Sequence, residues 1–136
     1  MLKIVIDTNV LVSGLYNKNG VPAKALNVFY RDAAIPVVTH EILKEYIRVI
    51  NYEKFGLSSE DREAAIHFMS RKIQNDPDHI FDISGIPDDD LKFVSAALEH
   101  NADGLITGNG RHFQPVSNII RIYTPAEFIS EFGNSL

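Results

Sequence analysis

Apolar and polar positions follow two different periods along this chain. Leu2, Ile4, Val5 and Ile6 form a nearly unbroken apolar run that stops at Asp7. This is the pattern of a short strand over residues 2–6, buried on both faces, with a carboxylate at its carboxyl end. Gly20-Val21-Pro22 interrupts the chain, and Pro22 suits the first turn of a helix reaching about residue 32. Residues 35–38, Ile-Pro-Val-Val, predict a second short strand with its proline near the beginning. Thr39 then caps a helix whose apolar positions Ile42, Leu43, Tyr46, Ile47 and Ile50 recur at the helical period.

The second half continues the alternation. Ser58 and Asp61 stand three apart before Ala64, Ala65, Phe68 and Met69, the spacing of a capping box with Asp in place of Glu. Residues 80–83 predict a strand. Asp88-Asp89-Asp90 opens an amphipathic helix carrying Leu91, Val94, Ala97 and Leu98, which ends near His100-Asn101. Residues 104–107 and 119–123 predict two further strands. Thr124-Pro125-Ala126-Glu127 is a capping box with proline at the first helical position, starting a last helix through Phe132. Strands alternating with helices define an α/β protein whose mostly parallel sheet is covered on both faces. The linkers are short and no repeat or low-complexity segment occurs, so residues 1–136 read as one domain.

Composition narrows the class. A chain of 136 residues with 45% hydrophobic content can bury a true core. Cysteine is absent, which excludes disulfides and thiolate metal sites. Neither an apolar stretch of membrane-spanning length nor a signal segment is present, so a soluble, cytoplasmic protein without membrane contact is expected. The net charge of −5 argues against strong, indiscriminate binding to nucleic acid. It is compatible with a nucleic-acid enzyme, because metal-binding carboxylates themselves pull the balance negative.

The carboxylates are the candidate chemistry. Asp7 ends the first strand, where open α/β sheets place their ligands. Glu41 and Glu45 lie four apart on one helix face, and Asp88, Asp89 and Asp90 open another helix. Taken singly, each of these acids has a simpler structural reading, which for Glu41 and the three Asp is the dipole at a helix start; three consecutive acids together with Asp7 indicate a site. Two carboxylates about 4 Å apart repel by about 4 kcal/mol at an effective surface dielectric, so converging ones need a proton, a separation or a cation. An all-oxygen set without a histidine cluster suits Mg²⁺ or Mn²⁺, and phosphodiester hydrolysis is the natural reaction.

Four segments carry a family resemblance. They are Ile6-Asp7-Thr8-Asn9-Val10-Leu11, Thr39-His40-Glu41-Ile42-Leu43-Lys44-Glu45, Asp89-Asp90-Leu91-Lys92-Phe93, and Ala102-Asp103-Gly104-Leu105-Ile106-Thr107-Gly108-Asn109. In this order they resemble the PIN domain, most closely the VapC-like toxin components of toxin–antitoxin systems, and the likeness continues through Tyr123-Thr124-Pro125-Ala126-Glu127-Phe128. The resemblance implies a three-layer α/β/α sandwich and a Mg²⁺- or Mn²⁺-dependent endoribonuclease acting on RNA. It further implies a cognate antitoxin, and it motivates a homo-oligomer together with the apolar content of Tyr46, Ile47, Ile50, Tyr52 and Phe55. Asp7, Glu45 and Asp90 match the family's carboxylates, and Thr8 and Thr107 resemble its hydroxyl residues that support them. Asn109 stands where many members carry a fourth Asp, a departure that keeps one oxygen donor and removes a charge; Asp89 is the acid available to compensate.

Other residues receive plainer readings. The histidines at 40, 67, 79, 100 and 112 lack the spacing of a helical metal site. His112 after Asn109 is the one placed to meet a substrate phosphate, with a surface-loop role as the alternative. Lys92 and Arg111 could contact RNA backbone, whereas Lys18 suits a solvated face. Gly108-Asn109-Gly110 reads as a turn in which Asn tolerates left-handed angles, since no Walker or GxGxxG pattern accompanies it. Two other functions stay open. A receiver or haloacid-dehalogenase-like phosphatase would need a second acid near Asp7, where Asn9 stands, and a catalytically weakened PIN-like binding module would be consistent with Asn109.

Overall fold

A computed structural model describes residues 1–78 and 80–133. Four strands, β1 (Lys3–Ile6), β2 (Ile35–Pro36), β3 (Gly104–Ile106) and β4 (Ile122–Tyr123), form one all-parallel sheet in the order β2-β1-β3-β4. The connection from β1 to β2 runs one way across the sheet, and the one from β2 to β3 runs back past β1. Right-handed crossovers in opposite directions place their helices on opposite faces. The result is a three-layer α/β/α sandwich. The strand order reverses between β1 and β3, so the crevice beyond their carboxyl ends is the topological switch point of the sheet.

On the first face, α1 (Thr8–Tyr16) packs against α2 (Val21–Tyr30), and α2 against α6 (Pro125–Phe132). Gly14 permits the α1–α2 approach: a Cβ there would lie 2.4 Å from Leu26 Cδ1. Phe128 of α6 stacks on Phe29 of α2 at 5.6 Å between ring centroids and meets Tyr123 of β4 edge-on, closing that layer. The second connection contributes α3 (His40–Ile50), α4 (Ser59–Ser70) and α5 (Leu91–Glu99), with α3 touching both α4 and α5. β1 and β3 are buried on both sides, as their continuous apolar runs require. No helix among the described residues is long and apolar enough to cross a membrane.

Several expectations change in the structure. Residues 80–83 are not a strand: β1 already has neighbours on both sides, Ile80 is exposed, and the Phe81 amide donates instead to Ser95 Oγ at 2.9 Å. The chain that runs beside Val38 is at Ile73, through one parallel bridge. Residues 8–16 give no helical stripe because Val10-Leu11-Val12 is a continuous β-branched-rich run, yet they form α1, since that run is enclosed by packing on more than one side. β4 is shorter than residues 119–123. Ser58 caps α4 through the Asp61 amide at 3.1 Å, but the Asp61 carboxylate pairs with Lys18 at 3.1 Å rather than closing the box. Tyr46 and Ile50, counted toward an oligomer face, belong to the interior, whereas Ile47 and Tyr52 are exposed and Phe55 is half-buried.

Candidate active site

The switch point collects the residues that end β1 and β3 and those that start or line α1, α3 and α5. The Asp7 amide donates to the Ile106 carbonyl at 2.9 Å, continuing the β1–β3 ladder one residue past Ile6. Its side chain is in the capping position of α1 but caps nothing there. Instead Asp7 Oδ2 accepts from Thr107 Oγ1 at 2.7 Å, and the same hydroxyl oxygen accepts the Asn109 amide at 2.9 Å. One threonine beyond β3 thus fixes both the carboxylate beyond β1 and the following turn. The Gly108 amide donates to Asn9 Oδ1 at 3.1 Å, tying the same turn to α1.

Glu45 comes from the middle of α3. Tyr46, fully buried beside it, donates its hydroxyl to the Ile6 carbonyl at 2.5 Å and so anchors this helix to the end of β1. Glu45 Oε2 accepts from Thr8 Oγ1; its Oε1 lies 2.5 Å from Lys92 Nζ and 3.6 Å from Arg48 Nη2. Asp90 begins α5, again without capping it. Its Oδ2 takes His112 Nδ1 at 2.9 Å, and His112 Nε2 lies 2.9 Å from Asn109 Nδ2. With the amide nitrogen donating, Nε2 accepts and Nδ1–H points to Asp90. The Asn109 amide oxygen then remains available to a ligand.

Electrostatics ties the three acids together. Burial raises the Asp7 carboxyl from its ordinary 3.8 to about 6; the Thr107 hydrogen bond opposes this, and the charges of Asp90 and Glu45 add to it. Burial also raises Asp90, with His112 lowering it and Glu45 raising it. The Tyr46 phenol is pushed well up by burial and then by the same Asp7 and Glu45 charges. Three carboxylates on three elements therefore feel one another inside a poorly solvated crevice.

The other candidates fall as follows. Glu41 is exposed and pairs with Lys44 at 3.6 Å. Asp89 is exposed and contributes its backbone carbonyl, which accepts from Lys92 at 3.0 Å. Lys92, expected on substrate phosphate, is held between that carbonyl and Glu45. Arg111 is exposed on the 3-10 turn Gly110–Val116. Lys18 is remote, on Asp61. Asn109 has φ −136°, so the left-handed turn expected for it does not occur; its side chain serves His112 instead. His40 and His100 face Asp76 and the Asn75 carbonyl, and His79 lies outside the described residues. Sequence reasoning missed Tyr46, Asn9 and Arg48. Only Arg48 had a usable signal, three residues after Glu45 on one helix face.

Oxygen donors of this kind suit a hard divalent cation. Among the described residues, no group of three His, Asp or Glu side chains is already drawn together closely enough to hold one. Lys92 and His112 are the groups that engage two of the three acids. The set fits such an ion by donor chemistry, and the charges of Asp90 and Glu45 add to the burial that raises Asp7.

A parallel sheet covered by helices on both faces defines an α/β/α sandwich, and comparison with known proteins supplies the family. The chain matches the PIN domain over residues 3–111. It is 33% identical, over an alignment of 144 residues, to an uncharacterized protein of Methanocaldococcus jannaschii, with 96% of this chain and 92% of that protein covered. The chain belongs to the PIN-domain family. Its fold is similar to that of a chain in the structure of VapBC-1 from nontypeable Haemophilus influenzae, with a TM-score of 0.56 and 17% identity over 92% of this chain and 99% of that one.

Proposed function

We propose that this protein is a divalent-metal-dependent endoribonuclease and the toxin of a toxin–antitoxin pair. The observation that carries the reading is Asp7: a buried carboxylate at the switch point that caps no helix and is raised in part by Asp90 and Glu45. Asp7, Glu45 and Asp90, with the Asn109 amide oxygen, would hold Mg²⁺ or Mn²⁺. The ion would polarise a phosphoryl oxygen and lower the pKa of the attacking water.

The protein's own part is to orient these donors. Thr107 fixes the Asp7 carboxylate, Thr8 and Lys92 fix Glu45, and His112 backed by Asn109 fixes Asp90. Such supporting partners are worth about 10- to 100-fold in metal affinity or activity. The chain has no Cys, and Asn9 stands where a haloacid-dehalogenase-like phosphatase would carry its second Asp, which supports direct attack by water over a phosphoenzyme. The motif order and the fold shared with the VapBC-1 chain support the toxin assignment. An antitoxin would then cover the crevice, with a basic side chain meeting its carboxylates. A second copy of the chain is the other partner we propose, tested by light scattering: a monomeric mass excludes it.

The test of the catalytic reading is cleavage of single-stranded RNA. Wild type with Mn²⁺ should cut it, EDTA should abolish cutting, and Asp90→Asn should lower the rate at least about a hundredfold with the fold intact. Cleavage that survives both EDTA and Asp90→Asn contradicts the reading.

A further inference from the structure

Beyond the carboxylate crevice, a strip of the surface combines exposed rings with cations. Tyr16, the last residue of α1, is 68% exposed, and Tyr52, just past α3, is 38% exposed. The rings of Tyr52 and Phe55 lie 6.3 Å apart and 18° from parallel. Lys54 Nζ stands 5.8 Å from the Tyr52 centroid and 5.2 Å from that of Phe55. Arg48, one turn nearer the crevice, donates from Nη1 to the Tyr52 hydroxyl at 3.0 Å, with Nη2 3.6 Å from Glu45. Val12, Ser13, Tyr16, Lys54 and Phe55 line a cleft of about 560 Å³ between these elements.

We propose that this strip binds the single-stranded part of an RNA substrate, with Tyr16, Tyr52 and Phe55 stacking bases and Lys54 and Arg48 meeting phosphates. The inference rests on the ribonuclease reading and adds to it the path of the strand. Continuity is the first argument. α1 and α3 touch at Thr8 and Glu45 in the crevice, and both helices run from there to the aromatic strip. Tyr52 follows Glu45 by seven positions, about 10 Å at the helical rise. That is the length of about three stacked bases at about 3.4 Å each.

Charge is the second argument. The chain carries a net charge of −5 and the crevice is acidic, so a polyanion needs local cations to approach. Lys54 and Arg48 supply them beside the rings. The strip has these charges at its centre, with Glu53 also exposed next to them, whereas the core of a protein–protein interface is depleted of charge. Alternating rings and cations suit unpaired nucleotides, whose base faces are open to stacking without sequence preference.

The test is fluorescence anisotropy of a labelled single-stranded RNA of about ten nucleotides, in EDTA so that cleavage does not intervene. Tyr52→Leu, Phe55→Leu and Tyr16→Leu keep an apolar surface but remove the ring, and each should weaken binding about tenfold. Tyr52→Phe should retain affinity within about twofold, because the ring remains. A duplex RNA of equal length should not distinguish these proteins. Leucine variants that bind single strands like wild type, while wild type cleaves RNA with Mn²⁺, overturn the strip and leave the ribonuclease reading intact. Binding that depends on the rings in a protein that never cleaves RNA upholds the strip and removes that reading. Leucine variants that change the mass by light scattering without changing RNA affinity make the strip a contact between copies, and overturn the proposal.

Discussion

At the start of α6, Thr124 Oγ1 accepts from the Glu127 amide at 3.1 Å, and the Glu127 carboxylate accepts from the Thr124 amide at 2.8 Å. At the start of α5, Asp90 bonds no amide of its own helix and takes His112 from a turn beyond β3. Both helices begin with a residue type suited to capping. One satisfies its own backbone and the other leaves it to serve a crevice. The same contrast separates Thr39, which caps α3 through the Ile42 amide, from Asp7, which faces Thr107. A carboxylate at a helix start that takes its side-chain partner from a distant element is held for another purpose, and burial makes that arrangement costly.

The largest effect that separates the two kinds of helix start is the pH response of Asp7→Asn without metal. An acid whose folded pKa is raised binds its proton more tightly folded than unfolded, so stability falls as pH rises from about 4 to about 6 and stays reduced above. The rise of Asp7 from 3.8 to about 6 corresponds to about 3 kcal/mol at full ionisation. Urea unfolding in EDTA should therefore find Asp7→Asn stabilised by up to about 3 kcal/mol at about pH 8 and little changed at about pH 4. A variant no more stable than wild type at the higher pH would remove the buried-charge account of Asp7.

Next in size is Thr107→Val, which deletes the hydroxyl between Asp7 and the Asn109 amide. It should weaken Mn²⁺ binding about 10- to 100-fold by calorimetry. Unchanged affinity would mean that Thr107 supports only the turn. On the capping side, Thr124→Ala should cost about 1 kcal/mol at every pH and leave Mn²⁺ binding alone. An effect on metal affinity would erase the distinction between α6 and α5. The smallest effect is that of Asn109→Asp. The added charge should tighten Mn²⁺ only a few-fold, because the substitution also removes the side-chain amide that Asn109 offers to His112. Superimposable Mn²⁺ titrations would place residue 109 outside the site.

The elements most legible in the sequence were those in which local chemistry and tertiary packing agree. Thr39, Thr124 and Glu127 cap as their spacing predicts, and the apolar run before Asp7 is a strand buried on both faces. α1 was hidden because its Val10-Leu11-Val12 run has no helical stripe. Residues 80–83 misled because local apolar content does not reveal that the neighbouring sheet positions are filled. Within the candidate site, the acids stood out by number and position. Two of their partners were legible through the family resemblance, Thr8 on Glu45 and Thr107 on Asp7, whereas His112 meets Asp90 across 22 residues, a separation that no periodicity records. Lys92 could be seen near the triple Asp, but its attachment to Glu45 depends on how α3 and α5 pack.

The central claim is that Asp7, Glu45 and Asp90 serve one cation. Calorimetric titration of Mn²⁺ into wild type, Asp7→Asn, Asp90→Asn and the double variant at about pH 8 tests it most directly, because linked donors cannot be removed independently. The account predicts that wild type binds, that each single substitution weakens binding at least about tenfold, and that the double variant loses less than the product of the two. Wild-type affinity retained in both single variants, or no binding by wild type at millimolar Mn²⁺, would contradict it.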